Sequence, residues 1–102
     1  MDKPVLQKWI QTLHLRNPQF ADMYLKIRER ALREGAIPAK YKILMTLVAD
    51  AIAAHPEGCA GIAKRAREAG ATEAEINEAV EVAFLFGGTP ALNMAVNAYR
   101  EE

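Results

Sequence analysis

The sequence predicts an all-α fold of six helices, and three observations carry that expectation. Alanine is abundant, alternating runs of β-branched residues are missing, and Gly or Pro punctuates the chain at helix-length intervals. With 102 residues the chain makes one domain, because two would each be too small to bury a useful core.

The first helix is expected from Pro4 to about Leu15, with Val5, Leu6, Trp9, Ile10 and Leu13 on one stripe at spacings of three and four. Asn17-Pro18 supplies a cap and then a proline suited to a first helical turn. Phe20, Met23, Tyr24, Ile27, Ala31 and Leu32 mark a second amphipathic helix that Gly35 ends. Its Lys26, Arg28, Glu29, Arg30, Arg33 and Glu34 read as a solvated face. A third helix runs from about Ala39 to Ala54, and between Ile43 and Ala54 its only polar side chains are Thr46 and Asp50. The fourth starts at Pro56 and stops at Gly70, with Lys64, Arg65, Arg67 and Glu68 on its outer side. Thr72 and Glu75 form a capping box for a fifth helix, Glu73 to Phe86, whose second half holds a single charge. Gly87-Gly88 breaks the chain, and Thr89-Pro90 opens a sixth helix, Pro90 to about Tyr99.

Composition narrows the classes of function. Hydrophobic residues make up 51% of the chain and charged ones 25%, a globular balance that argues against disorder. The 13 Lys plus Arg equal the 13 Asp plus Glu, so neither nucleic acid nor an anionic membrane is an expected partner. A single cysteine excludes an internal disulfide framework and suits a reducing compartment. The opening MDKPVLQKWIQTL meets Lys8 before any long apolar run, and no stretch reaches about 18 uncharged apolar residues. A soluble, cytoplasmic protein is expected.

The third and fifth helices are apolar nearly all round, and so small a globule can surround only one such helix. Exposed apolar surface on that scale marks an interface. An obligate homo-oligomer joined through these two helices is therefore expected.

Few residues carry chemistry. Cys59 falls in the first turns of the fourth helix, where free N–H groups and the macrodipole favour a thiolate, although a lone cysteine is more often a small buried apolar residue and no second thiol exists to resolve a disulfide. His55 precedes Pro56 and so stands at a hinge, either as an acid/base group or as a solvated helix cap. Asp50 is a carboxylate on an apolar helix and must reach water, find a cation or hold a proton. Thr46, four residues earlier, shares its face and could donate to it. Asp50 and His55 are five positions apart, about 140° around a helix, so they meet only if the hinge folds His55 back. A neighbouring copy's Arg or Lys is the other partner open to Asp50. His14 sits near a helix end, where the dipole alone favours it. No metal site is expected, since two histidines, one cysteine and scattered carboxylates show no ligand spacing. Phosphate loops, nucleophile elbows and dinucleotide fingerprints are lacking.

The run Ile37-Pro-Ala-Lys-Tyr-Lys-Ile-Leu44, the phrase Ala69-Gly-Ala-Thr-Glu-Ala-Glu-Ile76 and the phrase Phe86-Gly-Gly-Thr-Pro-Ala-Leu92 resemble the carboxymuconolactone decarboxylase family, also called alkylhydroperoxidase D-like. The resemblance covers about residues 37–100 and leaves 1–36 as additional N-terminal helices. It implies an all-helical protein assembling as a homotrimer or homohexamer. Peroxidase members carry a glutamate on the apolar helix, then Cys-x-x-Cys-x-x-x-His eight residues before the glycine. Counted back from Gly70, those places hold Ile43, His55, Gly58 and Ile62, so all four are altered. Decarboxylase members also lack the cysteine pair and act without a cofactor on a small lactone acid.

What the resemblance implies here is a small-molecule pocket between the third and fourth helices, near a subunit interface. His55, Asp50, Glu57 and Cys59 are its nearest polar groups, on a wall of Leu47, Ile52 and Phe84. Three readings stand at this point. One is a cofactor-free enzyme or binder of a small organic acid or lactone, with His55 transferring a proton and Asp50 orienting it. The others are a thiol-dependent peroxidase acting through Cys59 alone, and a non-catalytic oligomeric binding module.

Overall fold

Helix follows helix through the described residues, 7–100 of a computed structural model, and no strand occurs among them. The expected stripe positions Val5 and Leu6, with the Pro4 start, lie outside the described residues. Among the described residues five α-helical spans occur, the last of them kinked where the sixth helix was expected to begin. They fall into two compact units, one ending at Arg33 and one beginning at Glu34.

The first unit pairs α1 (Lys8–Arg16) with α2 (Pro18–Leu32). Asn17 caps α2 as expected, its side chain accepting from the Phe20 amide at 3.3 Å, with Pro18 in the first turn. Trp9 meets Tyr24 edge to face at 5.1 Å between ring centroids. The buried side chains are Ile10 and Ala21, whereas Phe20, Met23 and Ile27 are exposed. The predicted stripe of α2 is therefore not its buried face. Two short helices bury too little surface to cover a full stripe, and the small Ala21 lets them approach.

The second unit holds α3 (Ala39–Ile52), α4 (Pro56–Glu68), α5 (Glu73–Ala95) and a closing 3₁₀ turn, Val96–Tyr99. α3 packs on both α4 and α5, and the 3₁₀ turn returns to α4. Each helix gives one stripe to the core: Leu44, Leu47 and Ala51; Cys59, Ile62, Ala63 and Ala66; Ile76, Ala79, Val80 and Ala83. The capping box of α5 forms as the sequence predicts. The Glu75 amide donates to Thr72 Oγ1 at 3.1 Å and the Thr72 amide to Glu75 Oε1 at 2.8 Å.

The expected break at Gly87-Gly88 takes the form of a sharp kink. Gly88 leaves the helical region (φ 71°, ψ −165°), so two helical stretches meet there across a kink within the span labelled α5. Pro90 lacks the amide that a straight helix would use, and the kink accommodates this. At Gly87 a β-carbon would overlap Ala91 and press on Ile52, so α3 and α5 come this close only because the side chain is missing.

By length and composition Glu73–Tyr99 is apolar enough to cross a membrane, but its inner face builds the core of the second unit. Only 28% of its most apolar stretch is buried, leaving Val82, Phe84, Leu85 and Phe86 outside. α3 likewise exposes Met45 and Ile52.

Two turns of one design join the second unit's helices. After α4 the Ala71 amide donates to the Ala66 carbonyl (2.9 Å) and the Gly70 amide to Arg67 (3.0 Å), with Gly70 left-handed at φ 100°. After α3 the His55 amide donates to Asp50 (3.0 Å) and the Ala54 amide to Ala51 (3.1 Å), but the left-handed residue is Ala54, φ 66°. An alanine there costs about 1 kcal/mol that glycine would not. Ala54→Gly is accordingly expected to stabilise the protein by about 1 kcal/mol and raise Tm by roughly 4–8 °C, read by thermal unfolding. The same change at exposed Ala53, which keeps helical angles (φ −78°, ψ 0°), is expected to stabilise nothing.

Candidate functional site

The left-handed Ala54 settles how Asp50 and His55 meet. On a continuous helix their side chains would diverge, but the turn reverses the chain after α3 and returns His55 to the face that Asp50 occupies. His55 Nδ1 lies 2.8 Å from Asp50 Oδ1. With Asp50 ionised the carboxylate only accepts, so the imidazole donates from Nδ1, and among the described residues Nε2 has no hydrogen-bond partner. The imidazole is mostly exposed (64%) and the carboxylate only a quarter so (25%). One partner is thus set in the protein and the other open to solution.

His55 is also the N-cap of α4, but its side chain makes no capping bond. The capping reading fails because the ring is committed to Asp50. The second oxygen of that carboxylate rests against Gly58, where a β-carbon would overlap it. Asp50 therefore lies at the amino end of α4, where the macrodipole favours a negative charge. Gly58 stands at the place counted as the second cysteine of the peroxidase pattern, so a carboxylate from α3 fills the space its side chain would need.

Thr46 does not take part. Its hydroxyl donates to the Ile43 carbonyl at 2.6 Å, one turn back, as threonine commonly does within helices.

Cys59 takes the buried role and not that of a thiolate. It is fully buried, and burial together with the nearby Asp50 carboxylate raises its thiol from the ordinary 9.0 to about 11. Loss of hydration outweighs what the helix start offers, because the side chain points into the core beside Ile62 and Ala63. Glu57 is held in an exposed ion pair. Arg100 binds it at 2.9 and 3.4 Å, and that guanidinium holds its carboxyl below the usual range. The pair ties the end of the described chain to the first turn of α4.

Leu47 is buried in the core. A groove of about 380 Å³ runs between α3 and α5, walled by Tyr41, Leu44, Met45, Val48, Ala79 and Val82, with Glu75 and Glu78 at its edge. It does not include Asp50 or His55. Among the described residues no three His, Cys, Asp or Glu side chains gather as a metal site. Sequence reasoning missed Ala54 and Gly58. The available signal was a glycine in the first turn of a helix, one turn past a carboxylate and histidine on either side of a Pro-marked hinge.

An all-helical domain with a carboxylate–imidazole pair at the start of its fourth helix is the class that fold and site define. Residues 18–101 match the carboxymuconolactone decarboxylase family, and the chain belongs to it. The match begins within α2, earlier than the motifs alone indicate. A carboxymuconolactone decarboxylase family protein from Legionella pneumophila, in its apo crystal structure, shares the fold with a TM-score of 0.82. It is 21% identical over 88% of this chain and 80% of its own. A protein from Burkholderia xenovorans LB400, assigned as a carboxymuconolactone decarboxylase, gives a TM-score of 0.83 at 28% identity, over 91% of this chain and 76% of its own. No curated protein matches.

A neutral, buried thiol has a measurable consequence. Cys59 is expected to resist thiol reagents in the native protein at neutral pH and to react at once in denaturant. Because its folded value is the higher one, its contribution to stability is complete below pH 9.0 and is lost as pH rises through about 11. Denaturant titrations across that window are expected to show a fall on the order of 2 kcal/mol that Cys59→Ala abolishes.

Proposed function

We propose that this protein is a cofactor-free, self-assembling enzyme of the family that acts on a small organic acid or lactone, with His55 moving the proton. The observation that carries this reading is the 2.8 Å Asp50–His55 bond, which leaves Nε2 facing solution. With Nδ1–H held by the carboxylate, Nε2 accepts a proton from a substrate and Asp50 balances the imidazolium that forms. In a decarboxylation, the carbon–carbon bond to the carboxyl group breaks and carbon dioxide leaves. The electron pair stays on the substrate, and imidazolium Nε2–H returns a proton to carbon. Each of these steps uses only groups of this chain. Peroxide reduction through Cys59 finds no support in a buried thiol that stays protonated.

Self-assembly is the second part of the proposal, as a homotrimer or homohexamer in the manner the family resemblance implies. It is supported by the apolar faces that the second unit leaves uncovered, with Leu85 and Phe86 74% and 83% exposed. A soluble chain rarely leaves so much apolar surface to water.

Two measurements test the proposal. With carboxymuconolactone as substrate and carbon dioxide release as readout, His55→Ala is expected to lower kcat/KM by about 10²–10⁴-fold and Asp50→Asn by a smaller factor; undiminished turnover in His55→Ala overturns the assignment. Sedimentation velocity at micromolar concentration is expected to show a species of several chains, and Phe86→Glu with Leu85→Lys to shift it toward single chains; a soluble single chain for the parent protein overturns the assembly.

A further inference from the structure

We propose that Gly58 is a positioning residue, whose missing side chain makes the space from which Asp50 holds His55. This rests on the proton-transfer reading only for its catalytic meaning; the positioning itself is a claim about geometry. Three observations converge on it. A β-carbon at position 58 would overlap Asp50 Oδ2 and crowd its carboxyl carbon at 2.9 Å. The other oxygen of the same carboxylate is the one that receives His55 Nδ1. The remaining close neighbour, His55 Cβ, is at 3.4 Å, so the group that a β-carbon would displace is the Asp50 carboxylate.

Helix propensity opposes this choice. Glycine inside a helix weakens it relative to alanine, and Gly58 lies within α4, two residues past Pro56. Its backbone has no left-handed angle to excuse it, since the positive-φ glycines are Gly70 and Gly88. What the position needs is room, not conformational freedom. An alanine would push the carboxylate out from between α3 and α4. Oδ1 would then leave Nδ1, and His55 would revert to the ring tautomer it prefers in water.

A double-mutant cycle with two readouts on the full chain tests this. In ¹⁵N spectra of the imidazole at mildly alkaline pH, the parent protein is expected to show His55 protonated on Nδ1. Gly58→Ala is expected to lose that signature and to lower Tm. In an Asp50→Ala background the overlap is gone, so Gly58→Ala is expected there to leave Tm unchanged or raise it. A Gly58→Ala protein that keeps the Nδ1–H signature overturns the proposal, as does an equal fall in Tm in both backgrounds. If the cycle behaves as expected and carboxymuconolactone is still not turned over by the parent protein, the positioning role stands and the catalytic reading falls.

Discussion

Close helix packing built on alanine is the constraint from which the rest of the second unit follows. Ala51, Ala63, Ala66, Ala79, Ala83 and Ala95 line the contacts of α3, α4, α5 and the 3₁₀ turn, while Leu47, Ile76 and Cys59 are the largest fully buried side chains there. Small residues bring helix axes near one another and leave little volume between them. The bulky apolar side chains then have nowhere inside to go. Phe84, Phe86 and Met45 end on the outside because the interior is narrow, not because the helices lack an inner face. At about 25 cal/mol per Å² of apolar surface, what such a core leaves in water is a large fraction of what it could gain.

The same closeness shapes the site. Asp50 sits at the end of the helix that touches both neighbours, and only a glycine on α4 lets the two approach with a carboxylate between them. The turn that sends the chain from α3 to α4 then delivers His55 to that carboxylate. A strained alanine, an unfavourable helical glycine and a partly buried charge occur within nine residues. Each is locally unfavourable, and together they hold one imidazole in one orientation. Such concentrations of local cost are what functional positions commonly show.

Much of this was legible in the residues. The helical class, the caps at Asn17 and Thr72, and the stop at Gly70 are short-range signals, and short-range signals survive folding. The family was legible from three phrases between Ile37 and Leu92. Pairing of Asp50 with His55 could only be posed as a question, because five positions mean divergence on a helix and convergence across a left-handed turn. Nothing about Ala54 announces a positive φ, since glycine is the residue that marks such turns. Between a buried and a reactive Cys59 the residues could not choose, for a related reason. Its place near a helix start was visible, but its direction into the core depends on how α4 rotates against α3. The stripe on α2 misled because periodicity reports which side chains share a face and not whether a neighbour covers it.

The Asp50–His55 pair is joined twice, once through the backbone amide and once through the ring, and both links span only five positions of chain. Closing so short a loop costs little entropy. The arrangement is therefore carried by one contiguous stretch, Asp50 to Gly58, with no long-range crossing needed to assemble it. A stretch of that kind is portable: grafted between two helices meeting at the same angle, it would bring its histidine's orientation along. Meanwhile the outer surfaces of the parent fold are free to diverge, changing what docks or enters while the imidazole stays aimed the same way.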